Sequence, residues 1–369
     1  MTCNDDFICN VLIIGKTGTG KSSLLNYLCN KKVAETGAGL PVTGENIYEY
    51  SVNINNQEVR LFDSWGIEPG KTTRWNQLVA NSQKKHGVQK SIEEWFHCVI
   101  YCIQAGGKIV SADSSIIRQF LKDGYHLTII LTKADQISKD EIEIMKKVIL
   151  EEVPGVKIIA TCAEQKKTRT YTVEPFGKEE AVAAIFDGWK KTIIDRMPKH
   201  VIGQLCELID SWADSLKQTI QDDISGIKIS GVKADNKPIY QVLAETAKDF
   251  IQIIQQEALP IVLKDSIDSC RKASVSLKNT FDISIDDTIF DKDILENAKN
   301  SILDYLKDFF KGFFIIPAIK DFFQSRSKKH INNQKKELCE FIDNLATIMR
   351  QEFEKTEEEL SKIIEKTLK

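Results

Sequence analysis

Gly15-Lys16-Thr17-Gly18-Thr19-Gly20-Lys21-Ser22 stands between an apolar run, Ile8 to Ile14, and a segment with helical spacing. Strand, glycine-rich turn and helix in that order are the setting a phosphate-binding loop requires. The glycines let backbone N–H groups turn inward, and the helix starting near Lys21 directs its N-terminal dipole at an anion. In that setting Lys21 reaches β- and γ-phosphates and the Ser22 hydroxyl ligates Mg²⁺. Lys16, Thr17, Thr19 and Ser23 complete the cradle. The stretch predicts a nucleoside triphosphate site at the end of a buried strand.

Which base is read is decided further along. Thr132-Lys133-Ala134-Asp135 closes a second apolar strand, Leu127 to Leu131. The Asp135 carboxylate suits guanine, whose ring N–H and exocyclic amine both donate. Adenine presents an acceptor at the ring position, so one bond would become a repulsion. Lys133 can lay its methylene stem along the base plane. Thr161-Cys162-Ala163, after the strand Val156 to Ala160, is placed to reach the guanine oxygen through a backbone N–H.

Two further words fall between these in chain order. Asp63-Ser64-Trp65-Gly66 ends the strand Glu58 to Phe62, so that Asp63 holds a Mg²⁺-bound water and the Gly66 N–H faces the γ-phosphate. Pro41-Val42-Thr43-Gly44 lies in a glycine-rich segment before the strand around Asn46 to Ile54. Thr43 is the expected second Mg²⁺ ligand, engaged while γ-phosphate is present and released after hydrolysis; Thr36 in the same loop competes for that role.

Together the five words resemble the P-loop GTPases over residues 8 to about 196. The GKTGTGKSS variant with its VT word is similar to the septin, Toc and GIMAP branch and to immunity-related and dynamin-like GTPases, with the Era-like bacterial GTPases nearly as close. The resemblance implies GTP and GDP as ligands, Mg²⁺ as cofactor, and hydrolysis of GTP to GDP and phosphate. Lys21, Thr43 and Gly66 would act on the transferring phosphoryl group. Two departures bear on turnover. Ras-like enzymes carry a glutamine after the DxxG glycine to orient the attacking water; here that position is Ile67, which can neither donate nor accept. The fourth loop position, an asparagine in cation-activated relatives, is Gly18. Hydrolysis is then slow or completed from outside, by a charge brought to the transferring group. Arg74 and His86 are the candidates for such a cross-subunit role, ahead of Lys16 and Arg60. Pairing across the nucleotide face is what the septin and GIMAP resemblance implies. The alternatives are a dynamin-like enzyme acting at membranes and a module that holds GTP with negligible hydrolysis.

The 369 residues, 42% apolar and 28% charged, fit a two-domain soluble chain. Nine cysteines, an odd number scattered through strands and helices, fit a reducing compartment. Cys98 and Cys102 share one face of an apolar strand and are read as core. Met1-Thr2-Cys3-Asn4-Asp5-Asp6 has neither a basic nor an apolar leader region, and no run is long enough to span a bilayer, so the expected location is cytoplasmic. Net charge is −3, divided as about +2 over the first 200 residues and about −5 beyond. An RNA-gripping half would be basic, so nucleic acid is not an expected partner.

Apolar strands at 8–14, 46–54, 57–63, 97–103, 126–131 and 156–160 alternate with helices from 21, at 111–122, at 138–151 and at Lys178 to Arg196. The expected fold is α/β: a Ras-like domain with a mostly parallel sheet over 1–197, followed by an all-α domain over 198–369. Residues 64–95 form a long connection with helical stretches at Asn76–Lys85 and Ile92–Phe96, and Gln165 to Pro175 reads as a polar loop. Past Pro198 a 3.6-residue period takes over at Leu205, Leu208, Ile209, Trp212, Leu216 and Ile220. Further helices are expected near 238–257, 260–280, 291–324 and 330–367, with a short hairpin within Gly226–Pro238, as a bundle or stalk that couples nucleotide state to assembly or to a protein effector. Between Phe309 and Phe323 six phenylalanines surround Pro317, and Arg326, Lys328, Lys329, His330, Lys335 and Lys336 follow. The segment 309–336 is either a bent core helix with a solvated basic turn or a peripheral membrane contact.

Overall fold

The computed structural model describes residues 8–34, 46–54, 57–68, 70–167 and 172–222, scattered helical residues between 249 and 304, and the helices from 331 to 368. Thr36 and Thr43, the expected hairpin at Gly226–Pro238, the Phe309–Phe323 stretch and the basic residues Arg326–His330 lie outside the described residues.

Alternating apolar segments become a six-stranded sheet in the order β2-β3-β1-β4-β5-β6. Its strands are β1 (Cys9–Gly15), β2 (Ile47–Ile54), β3 (Gln57–Ser64), β4 (Cys98–Gln104), β5 (Leu127–Thr132) and β6 (Lys157–Ala160). β1 runs parallel to β3 and β4, and β4 to β5 to β6; only β2, paired to β3, is antiparallel. β1 and β5 are buried along their whole length, as strands covered on both faces must be. The covering helices are α1 (Lys21–Cys29), α2 (Thr72–Lys85), α3 (Ser111–Lys122), α4 (Lys139–Glu152) and the start of α5 (Lys178–Asp222). α4 opens on a capping box, Ser138 accepting from the Glu141 N–H while Glu141 accepts in return, as Ser-x-x-Glu before an apolar run specifies.

A buried histidine ties the two central strands, β1 and β4, together at their start. His97 Nδ1 accepts from the Asn10 N–H at 2.9 Å and its Nε2 lies 2.8 Å from the Ile92 carbonyl, an acceptor for Nε2–H. Burial holds this ring neutral, with its pKa pushed down to about 3. All seven described cysteines are unpaired, and five of them are buried. Burial pushes the Cys29 thiol up to about 11 and those of Cys98 and Cys102 to about 12.

Three expectations change. Gln165–Pro175 is not a plain loop: Lys166–Lys167 (β7) and Thr172–Val173 (β8) pair antiparallel, and Cys162 and Phe176 exchange backbone hydrogen bonds at 3.1 and 3.0 Å beneath them. Two-residue strands carry too little alternation to be read in advance. Helix α5 does not stop near Arg196 but continues through Pro198 to Asp222. Proline cannot donate to the Ile194 carbonyl, yet its neighbours Met197, Val201 and Ile202 are buried, and that packing carries the helix past the missing bond. The second stretch of the 64–95 connection is a single 3₁₀ turn, Ile92–Glu94, and α2 starts four residues earlier than expected.

The chain divides into two compact units, one of Met1–Arg196 with Ser269–Asp287, the other of Met197–Asp268 with Thr288–Lys369. In the second, the expected stripe is seen: Leu205, Ile209, Leu216 and Ile220 are buried, as are Ile342, Met349 and Phe353 on the helix Ile331–Lys355. Lys217 pairs with Asp343 at 2.7 Å and Arg350 with Asp210 at 2.5 Å, tying these helices together. Trp212 stacks on Phe250 with ring centroids 4.8 Å apart. Among the described residues no helix is long and apolar enough to cross a membrane.

Candidate functional site

The phosphate loop leaves β1 at Gly15, whose φ of 145° and whose distance to Cys102 exclude a side chain: a Cβ there would lie 2.5 Å from the Cys102 carbonyl oxygen. Lys21 folds back over the loop and donates to the Gly15 and Lys16 carbonyls, each at 3.1 Å. It is only 6% exposed, and burial lowers its pKa while Asp63 opposes the shift. The Ser22 hydroxyl lies 2.9 Å from Asp63 Oδ2. Asp63 is wholly buried at the end of β3, and its Oδ1 has no hydrogen-bond partner among the described residues. Burial pushes its carboxyl above the usual range, with Lys21 and Ser22 pulling the other way. A buried carboxylate oxygen left over beside a serine hydroxyl is a hard-oxygen pair suited to Mg²⁺ and its waters.

The Asp63-Ser64-Trp65-Gly66 word is strapped to the loop. Ile67 donates its N–H to the Gly15 carbonyl at 3.1 Å and accepts from the Thr17 N–H at 3.3 Å. A Cβ on Gly66 would meet Thr17 Oγ1 at 2.4 Å and Thr17 Cα at 2.6 Å, so glycine is required by close approach. Trp75, in the first turn of α2, donates its indole N–H to the Trp65 carbonyl at 2.9 Å. Lys16 points away from the loop and pairs at 2.7 Å with Asp113, which also accepts from the Tyr101 hydroxyl and the Val110 N–H. That network is a signal the sequence did not offer.

At the other end of the site, Thr132 donates its hydroxyl to the Thr19 carbonyl, joining β5 to the loop. Lys133, in a left-handed backbone conformation, stretches across to donate to the Gly18 carbonyl at 2.8 Å and Gln104 Oε1 at 3.2 Å. Asp135 follows in a 3₁₀ turn, its side chain 4% exposed. Its Oδ2 is 2.6 Å from Lys166 Nζ on β7, while Oδ1 is buried with no conventional hydrogen-bond partner among the described residues. Burial opposes its ionisation, but Lys166 and the Cys162 thiol outweigh that and hold the carboxyl below the usual range. The Thr161–Ala163 word stands beside it, with the Thr161 carbonyl accepting from the Ala134 N–H at 3.0 Å.

The structure thus gathers Gly15 to Ser22, Asp63, Gly66, Thr132, Lys133, Asp135 and Thr161–Ala163 at the carboxyl ends of the strands. Arg74 is exposed on the first turn of α2, beside the buried Trp75. His86 stands at the end of α2. It caps α2 between the rings of Phe62 and Phe96, centroids at 4.9 and 4.4 Å, and its Nδ1 lies 2.7 Å from the Glu94 carbonyl.

The family model described as 50S ribosome-binding GTPase matches residues 10–134. The chain is 30% identical over 129 residues to the GTPase Der of Mycoplasmopsis agalactiae, covering 35% of this chain and 28% of that protein. It is 26% identical over 175 residues to the septin homolog spn1 of Schizosaccharomyces pombe, covering 39% and 36%. Among solved structures, Era of Aquifex aeolicus bound to GDP·AlF4⁻ aligns at 22% identity with a TM-score of 0.39, over 49% of this chain and 56% of that one. The chain spans less than half the length of the curated relatives it matches. Its N-terminal part is a P-loop GTPase domain, with relatives among septins, chloroplast translocases and Era-like GTPases.

Proposed function

We propose that the chain is a GTP-hydrolysing switch in which residues 1–197 bind and turn over the nucleotide and residues 198–369 couple its state to assembly or to a partner. The observation that carries this is the buried pairing of Ser22 with Asp63 beside Lys21, a site with a spare carboxylate oxygen and a compensating ammonium. Ser22 and Asp63 would hold Mg²⁺, Asp63 through water, with Thr43 as the third contributor; the ion would neutralise phosphate charge. Lys21 and the loop N–H groups bind the β- and γ-phosphates, Gly66 offers its N–H to the γ-phosphate, and Asp135 selects guanine.

Self-association across the nucleotide face supplies the missing catalytic charge, and Arg74, exposed one turn into α2, is the group to supply it. The competing reading is a binding module with negligible hydrolysis. It is favoured by Ile67, an apolar side chain 8% exposed whose backbone is bonded in both directions to the loop. GTP turnover per molecule, followed over a hundredfold range of protein concentration with ATP as control, separates them. Specific activity that climbs with concentration and falls in Arg74→Ala supports pairing. A rate well below about 10⁻⁴ s⁻¹ at every concentration, the intrinsic range of an unassisted switch, supports the binding module.

A further inference from the structure

Asp135 is served by a group that none of the five sequence words contains. Lys166 lies on β7, four residues after Cys162, in a hairpin tied down by the paired backbone bonds between Cys162 and Phe176 and by the register Lys166↔Val173. Its ammonium rests 2.6 Å from Asp135 Oδ2. An ammonium presents N–H donors to a carboxylate oxygen just as the ring N–H and amine of guanine do. The other oxygen, Oδ1, is buried with no conventional partner among the described residues, and besides Lys166 the side-chain donor at this carboxylate is the weak Cys162 thiol. The two partners are unequal: the Asp135 side chain is 4% exposed and that of Lys166 is 41% exposed. The aspartate is built in, whereas the lysine can swing into water at small cost. On the opposite side, Lys133 is committed to Gly18 and Gln104 and leaves the carboxylate to Lys166.

We propose that Lys166 is a guanine-mimicking latch: it competes with the base for Asp135 Oδ2, and the β7–β8 hairpin thereby sets the affinity and exchange rate of guanine nucleotides. This rests on the reading of Asp135 as the guanine-selecting carboxylate. Binding of guanine displaces the ammonium and engages both carboxylate oxygens. The exchange keeps the buried carboxylate bonded throughout, so the cost of entry is the lost ion pair and not an exposed charge.

The test is GDP and ADP affinity of the full chain, as it stands and as Lys166→Ala and Lys166→Arg, at low salt and at about 0.5 M salt. The latch predicts that Lys166→Ala binds GDP about 3- to 10-fold tighter at low salt, that Lys166→Arg behaves as the unsubstituted chain, and that the gap narrows as salt screens the competing ion pair. GDP affinity unchanged or weakened in Lys166→Ala, with GDP still preferred to ADP, overturns the latch alone. Loss of the GDP preference in the unsubstituted chain overturns the guanine reading and the latch together.

Discussion

The two ends of the nucleotide site hold their carboxylates in opposite ways. Asp63, at the phosphate end, is wholly buried and faces a lysine that is itself buried, and its proton affinity is raised. Asp135, at the base end, is less deeply enclosed and is paired with a lysine that reaches in from solvent, and its proton affinity is lowered. A charge enclosed with its counter-charge is costly to disturb, whereas a charge met by a long exposed side chain is easily re-partnered. The phosphate end is therefore the rigid part of the site and the base end the exchangeable part.

Truncating the two lysines tests that contrast most strongly. Lys21→Ala removes two buried charge-assisted hydrogen bonds, to the Gly15 and Lys16 carbonyls, together with the cation nearest Asp63, and denaturant unfolding should report a loss of about 3–5 kcal/mol. Lys166→Ala should cost no more than about 1 kcal/mol in the same assay. Equal losses would erase the distinction.

A smaller effect is expected from Gly66→Ala. The added methyl would meet the Thr17 backbone at 2.6 and 2.7 Å besides its hydroxyl, and backbone cannot swing aside, so the strap between Ile67 and the loop has to part. Thermal unfolding should fall by an amount equivalent to about 1–3 kcal/mol. An unchanged midpoint would show that the strap is slack.

The mildest probe is acid. Binding Mg²⁺ needs Asp63 ionised, and its raised pKa brings protonation at a higher pH than an ordinary carboxyl. Reading guanine needs Asp135 ionised, and its lowered pKa delays protonation to a lower pH. On acidification the Mg²⁺-dependent part of GDP affinity should therefore fade before the preference for GDP over ADP does. The reverse order, seen in a pH series of binding isotherms, would break the comparison.

What was legible in the sequence follows the same physics. The phosphate loop, the strand-end words and the parallel core could be read because each depends on local spacing: glycine where backbone crowds, apolar runs where both sheet faces are covered, polar words where strands end. The Lys166–Asp135 pair could not, since it joins residues through a hairpin whose strands are two residues long. Nor could the passage of α5 through Pro198, because the proline is a local stop signal and burial of Met197, Val201 and Ile202 is a tertiary fact. The surroundings of His86 were hidden for a related reason. Its place after Asp63 offers it for a cross-subunit role, and only the structure shows its ring between Phe62 and Phe96.

The enclosed sulfurs give the molecule a chemical clock. A thiol must ionise and meet its reagent before it is alkylated, and Cys98 and Cys102, with proton affinities near pKa 12 and almost no exposure, can do neither while the sheet is closed. Their labelling times the parting of the central strands beneath the phosphate loop, while Cys29 times the departure of the first helix and Cys162 the loosening of the base-side word. These native sulfurs would date the order in which this domain comes apart without any label being engineered into it.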